Sequence, residues 1–321
     1  MPVVFLSCVV TMAAFVLVMM CTLAFVTRKE SMSMPDEHPQ APPPIPNKIW
    51  TYWEGDGDAF PRSVTACIES WKRHNPDWEI TIVTPSNLGV HVSESDADFI
   101  KNVGSRLQSH DTAQFRSDLV RLHVMARNGG VWLDANCCCT QSLEWVLEYQ
   151  RAKPMCEFVA FFHPEMTTDT RFPVMESWMF GCVPYANFIS LWKTALLSLI
   201  LDYASVDAYL EARSRDTDIQ GLRDSHLLQY LIVYVAALYV MQNEMTVDEI
   251  TDTMYLISAA EGPYKYLFDN NWDTEAALRS LLCNRDTASY PLIKMRNPER
   301  QLVEESDEIY GCLLSFLGSH S

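Results

Sequence analysis

Lys48-Ile49-Trp50-Thr51-Tyr52-Trp53, then Val64, Cys67, Ile68 and Trp71, then Trp78-Glu79-Ile80-Thr81-Ile82-Val83 decide the fold. The first run is rich in β-branched and aromatic residues and ends at Gly55-Asp56-Gly57, so it reads as a strand closed by a turn. Pro61 suits the first turn of a helix, the four apolar residues recur at helical spacing, and Asn75-Pro76 stops it. Strand, helix and strand in that order predict a parallel βαβ unit and hence an α/β domain.

Further along, the pattern predicts a helix over 111–127. Asn128-Gly129-Gly130 should end it, since glycine can take the left-handed cap conformation. Phe115, Leu119, Leu122 and Ala126 make its apolar stripe, with Asp118, Arg121 and Met125 on the flank. Val131-Trp132-Leu133 follows as a short buried strand, which places Asp134 and Asn136 just past its carboxyl end. That is where open α/β sheets bind ligands. Strands are also expected over 157–162 and 177–181, a helix over 185–201, and a buried helix over the apolar run 227–240.

Composition narrows the partners. The 321 residues carry 24 Lys+Arg against 41 Asp+Glu, a net charge of −17, and no basic run. A nucleic-acid partner is not expected, because it needs clustered positive charge. Residues 2–27 contain no charge and are long enough to cross a bilayer, so a single N-terminal transmembrane helix is expected. The proline-rich stretch 28–44 reads as a spacer, and 45–321 as the globular domain. The anchor implies a single-pass membrane protein, with a type II, Golgi- or ER-like arrangement favoured. Arg28-Lys29 after the helix leave a cytoplasm-facing domain open. The ten cysteines show no CxxC pair, which argues against structural zinc.

Two oxygen-bearing side chains at i and i+2 on a tight turn, Asp134 and Asn136, can face one hard cation. A plain Asx turn capping the strand is the competing reading. In a chain of this charge an anionic diphosphate is repelled unless a divalent ion or a local arginine offsets the field. An Asp ending an apolar strand also suits a metal-assisted phosphohydrolase with Asp134 as nucleophile, but such sites want an acid at position 136.

Ser117-Asp118-Leu119-Val120-Arg121-Leu122 and Asn128-Gly129-Gly130-Val131-Trp132-Leu133-Asp134-Ala135-Asn136 resemble the signature of sugar-transferring enzymes with a DxD motif. The stretches resemble the capsular polysaccharide synthesis proteins, which are similar to the family 32 glycosyltransferases. Ile45-Pro46-Asn47-Lys48-Ile49-Trp50, Ser70-Trp71-Lys72-Arg73-His74-Asn75-Pro76, Glu176-Ser177-Trp178 and Ile293-Lys294 look like the same group.

The resemblance implies a GT-A-like, Rossmann-like nucleotide-sugar-binding fold. It further implies a nucleotide-sugar donor, with a UDP-sugar favoured, a glycan acceptor and a Mn²⁺ or Mg²⁺ ion. Carried over, Asp118 and Arg121 would contact donor hydroxyls. Asp134 would bind sugar or ribose and reach the metal, Asn136 would ligate it with an uncharged amide, and transfer would retain anomeric configuration. A non-catalytic donor-binding protein silenced by Asn136 is the alternative. Trp50 and Trp53 are candidates to stack on the donor base, or simple core residues. Glu176 and Trp178 are candidates for acceptor binding, as is His226 beside Asp224, which could equally be a satisfied helix-terminal group. The Cys137-Cys138-Cys139 triplet fits small buried packing, or a thiol-reactive site.

Overall fold

Strand β1 (Lys48–Tyr52) and strand β2 (Glu79–Val83) pair in parallel, Lys48 opposite Glu79 and Tyr52 opposite Val83, joined through helix α1 (Arg62–His74). The computed structural model describes residues 41–55, 60–103, 113–283 and 291–319, and residues 42–321 form one compact unit. The expected membrane helix at 1–27, the spacer up to residue 40, the Asp56-Gly57 turn and the first two residues of the 111–127 helix lie outside the described residues. Within them, no helix is long and apolar enough to cross a membrane.

Onward from β2 the chain forms α2 (Ala113–Asn128), β3 (Gly130–Leu133), β4 (Cys137–Cys139), α3 (Glu144–Ala152), β5 (Phe158–Phe162) and β6 (Met175–Cys182). It continues as α4 (Asn187–Leu201), α5 (Ile232–Tyr239), β7 (Met254–Ser258), β8 (Leu292–Lys294), α6 (Asn297–Glu305) and α7 (Asp307–Ser319), with further helices between, among them Val206–Asp216. Six strands make one mixed sheet, β2-β1-β3-β6-β5-β7. Neighbours are parallel except around β6, which runs antiparallel to both β3 and β5. β4 and β8 form a separate antiparallel pair.

Helix α2 is buried more completely than its stripe predicts. Every residue from Asp118 to Ala126 is buried, because α4 packs on one side of the helix and β1 and β3 on another. The 227–240 helix starts later than its apolar run. His226 takes a left-handed φ of 58°, Leu227 and Tyr230 stay exposed, and regular helix begins at Ile232. Leu227 and Tyr230 line a cleft instead of the core. Cys283 and Cys312 form a disulfide, tying the segment before the 284–290 stretch to α7.

The glycine pair after α2 is required by space as well as by conformation. Gly129 and Gly130 have φ of 61° and 103°. A Cβ on Gly130 would lie 2.8 Å from the Lys48 carbonyl oxygen and 2.9 Å from Trp50 Nε1. Gly130→Ala should therefore cost about 2 kcal/mol, a fall in Tm of roughly 4–8 °C on thermal unfolding. An unchanged Tm would mean that β1 and β3 can separate freely at this point.

Candidate functional site

Helix α2 and strand β3 deliver the first half of the site. Asp118 and Arg121 lie one turn apart, and Arg121 reaches both carboxylates: Nη1 donates to Asp118 Oδ1 and Nη2 to Asp134 Oδ1, each at 2.7 Å. The turn carrying Asp134 is held by backbone bonds. Its N–H donates to the Trp178 carbonyl on β6 at 2.8 Å, and Cys137 N–H donates to the Asp134 carbonyl at 3.0 Å. The Asp134 carboxylate thus faces Arg121, the Trp132 indole N–H at 3.0 Å, and one further cation, and does not spend itself capping its own turn.

That cation is Lys294, 160 positions away. Its Nζ donates to Asp134 Oδ2 at 2.8 Å and to Asn136 Oδ1 at 2.6 Å. Strand pairing brings it there, since β4 lies antiparallel to β8 with Cys137 opposite Lys294. The α1 motif secures β4 in turn. Trp71 Nε1 donates to the Cys137 carbonyl at 2.7 Å, and Ser70 Oγ accepts from Cys139 N–H at 2.9 Å. Asn75 Oδ1 accepts from Leu143 N–H at 2.7 Å. The cysteine triplet is therefore a buried strand that positions a lysine; burial pushes the Cys137 and Cys139 thiols up, away from the reactive thiolate.

Burial sets the electrostatics. It pushes Asp118 up to about 7, against the pull of Arg121. It would raise Asp134 too, but Lys294 and Arg121 hold that carboxyl below the usual range. Burial opposes charge on Lys294, yet Asp134 beside it keeps the ammonium above its ordinary value. The floor of the site thus holds two firm cations in a chain of net charge −17.

These groups border a cleft of about 770 Å³, a size typical of small-ligand sites. Glu176, 2% exposed, accepts from Trp178 Nε1 and from Tyr234 Oη at Oε2, each at 2.6 Å, and burial pushes it up to about 7. Three residues of the cleft lining each hold a buried polar atom with no partner among the described residues: Arg121 Nε, His163 Nδ1 and Glu176 Oε1. Trp178, Tyr264 and Trp272 form an aromatic wall, with ring centroids 5.4 and 5.8 Å apart in succession.

Asp118, Arg121, Asp134, Asn136, Glu176 and Trp178 all border this cleft. Three other candidates do not. Trp50 is 2% exposed, donates to the Gly129 carbonyl at 2.9 Å and packs edge-on to His91, so it serves the core and offers no open face to a base. Trp53 packs edge-on against Phe60, outside the cleft lining. His226 sits exposed on its left-handed turn, outside the cleft that its neighbours Ser225 and Leu227 line. Reading the sequence missed the role of Lys294, and also Tyr234, Tyr264, Trp272 and His163. The available signal was a lone lysine ending the short apolar run Leu292-Ile293-Lys294.

The expected metal pair also needs correction. A hard divalent ion wants several oxygen ligands, preferably carboxylates. Here one carboxylate and one amide share an ammonium, and no group of three or more His, Cys, Asp or Glu that could hold a metal exists among the described residues. As arranged, Asp134 and Asn136 do not fit a divalent ion. Nor does Asp134 suit a phosphohydrolase nucleophile, with both oxygens bonded to donors and an amide at position 136.

The family described as "Capsular polysaccharide synthesis protein" matches residues 21–213, more than half of the chain. No curated protein matches the sequence. Among solved structures, a "PaToxG Glycosyltransferase" is similar at 16% identity and a TM-score of 0.36, covering 65% of this chain and 84% of its own. The galactosyltransferase LgtC in complex with donor and acceptor sugar analogs is similar at 11% identity and a TM-score of 0.38, covering 85% and 95%. The UDP-bound glycosyltransferase domain of the YGT toxin is similar at 9% and 0.34, covering 86% and 98%.

Proposed function

Because the chain belongs to the capsular polysaccharide synthesis protein family, we propose that it is a glycosyltransferase moving a sugar from a nucleotide-sugar donor to a glycan acceptor. The observation that carries this reading is the chain Asp118, Arg121, Asp134, Lys294 in a cleft also lined by the aromatic rings of Trp178, Tyr264 and Trp272. Cations suit a diphosphate, and aromatic faces with a carboxylate suit a sugar. A UDP-sugar is the favoured donor, with Asp118 and Arg121 contacting its hydroxyls and Glu176 and Trp178 receiving the acceptor. The fold is read as GT-A-like, supported by Asp134 standing at the carboxyl end of a strand parallel to β1.

In the reaction, the bond between the anomeric carbon and the diphosphate oxygen breaks, and the electron pair stays on that oxygen. The acceptor hydroxyl oxygen bonds to the carbon, and its proton ends on the departing diphosphate. Developing negative charge on the leaving group is what positive side chains stabilise. Retention of anomeric configuration is part of the proposal. So are a single membrane anchor at 1–27, a spacer at 28–44 and the transferase domain at 45–321. The Cys283–Cys312 disulfide supports an oxidising, luminal side for that domain, in a type II arrangement.

The test is a donor screen. Full-length protein in detergent, incubated with a panel of UDP- and GDP-sugars with and without Mn²⁺, should release free nucleotide from at least one donor. Proton NMR of the product reads its anomeric configuration. Donor affinity by calorimetry without any release would leave a non-catalytic binding protein.

A further inference from the structure

Lys294 does more than border the cleft. Its ammonium bridges the two side chains, Asp134 and Asn136, that a divalent ion would have to bridge, and it is 5% exposed. The charge arithmetic matches. Two carboxylates on this turn would present two negative charges and call for a divalent ion, whereas Asp134 with the neutral Asn136 presents one, which a single ammonium neutralises.

The seat is built from both sides. Tyr266 Oη donates to the Lys294 carbonyl at 2.8 Å, and Met295 N–H donates to the Asn136 carbonyl at 3.0 Å, so the lysine backbone and the Asn136 turn are tied together. An ammonium has three N–H donors, and two are engaged here. The third has no hydrogen-bond acceptor among the described residues; the ammonium borders the cleft 5.5 Å from the Trp178 ring centroid, with Arg121, whose Nε has no partner among the described residues, in the same lining.

We infer that Lys294 is the resident cation of this site: seated on Asp134 and Asn136, it binds the diphosphate of the donor and stabilises its departure, so that neither donor binding nor transfer needs a divalent ion. The inference rests on the glycosyltransferase reading for its chemistry, but its binding arm can be tested apart from turnover. A lysine serves as a point charge on phosphate, as metal ions do elsewhere, with no ligand field to satisfy.

Calorimetry of UDP against full-length protein in EDTA tests the binding arm. The expected result is saturable binding that changes less than twofold on adding Mn²⁺ or Mg²⁺. Binding should weaken at least tenfold in Lys294→Met, with Lys294→Arg falling between the two because it keeps the charge. Circular dichroism confirms that each variant is folded. Turnover of whichever donor the screen identifies should likewise survive EDTA. In the double variant Asn136→Asp/Lys294→Ala, which restores the second carboxylate and vacates the seat, turnover should become dependent on Mn²⁺. Loss of wild-type UDP binding in EDTA, restored by Mn²⁺, overturns the role of Lys294 while leaving the transferase reading intact. Metal-free UDP binding that needs Lys294, with no donor turned over under any condition, upholds the cation assignment and overturns the transferase.

Discussion

Asp134→Asn is expected to lower transfer about 100- to 1,000-fold, the largest single effect on activity in this protein. The carboxylate holds three donors at once, Arg121 and Trp132 on Oδ1 and Lys294 on Oδ2. An asparagine keeps the shape but offers one acceptor oxygen and turns an N–H₂ toward a cation. Both Arg121, at 3% exposed, and Lys294, at 5%, would lose the charge that offsets their burial. A stability loss of about 3 kcal/mol should accompany the change, by the usual cost of breaking a buried pair. Asp134 acts here chiefly as a positioning residue. The fall should lie in kcat more than in KM, because misplaced cations matter most when charge builds on the leaving group. Steady-state kinetics on protein shown to be folded separates the two. A lower Tm with unchanged kcat would reduce Asp134 to a structural ion pair.

Glu176→Gln should make the protein more stable at pH 8 and poorer at using its acceptor. The ordinary glutamate ionises near 4.5, whereas burial holds this one protonated up to about 7. Between those values the folded state binds a proton that the unfolded state has lost. The stabilisation is therefore complete below pH 4.5 and disappears as pH rises through 7. At ~1.4 kcal/mol for each pH unit of displaced titration, that interval corresponds to about 3 kcal/mol. Glutamine never ionises, can still accept from Tyr234 and Trp178, and removes this pH dependence. Denaturant unfolding from pH 4.5 to 8 in both proteins would show the wild type falling more steeply toward the alkaline side than the variant, which keeps only the contribution of Asp118, also pushed up to about 7. Parallel curves would mean that Glu176 is already ionised in the fold. Transfer to acceptor should fall more than donor hydrolysis, because Glu176 borders the cleft and its Oε1 has no hydrogen-bond partner among the described residues.

The two effects share an origin. Charged groups are kept buried without full compensation where a ligand is to be met, and stability is given up there. Glu176 and Asp118 are both pushed up to about 7 by that burial, in the cleft that Arg121 and Lys294 also line. Arg121 Nε, His163 Nδ1 and Glu176 Oε1 show the same pattern in hydrogen bonds left open.

Local signals were readable where the physics is local. Alternating and helical periodicity identified β1, α1, β2 and α2. The glycine pair marked the end of α2, and the i, i+3 spacing put Asp118 and Arg121 on one helix face. Trp50 misled because an aromatic on a strand near a ligand crevice looks the same whether it stacks on a base or bonds to Gly129. His226 misled because an apolar run hides where its helix begins. A left-handed residue there delays the helix to Ile232.

By itself the chain of residues determined an α/β unit with Asp118, Arg121 and Asp134 near the carboxyl end of one strand, since all three lie within a single helix-and-strand segment whose geometry follows from short-range rules. What occupies the space between Asp134 and Asn136 was decided only by tertiary pairing, when β8 docks on β4 and carries Lys294 across 158 positions to Asn136. No periodicity encodes that choice. A buried ammonium is tolerated only where distant strands have already gathered its acceptors, and so the identity of the cation belongs to the folded molecule.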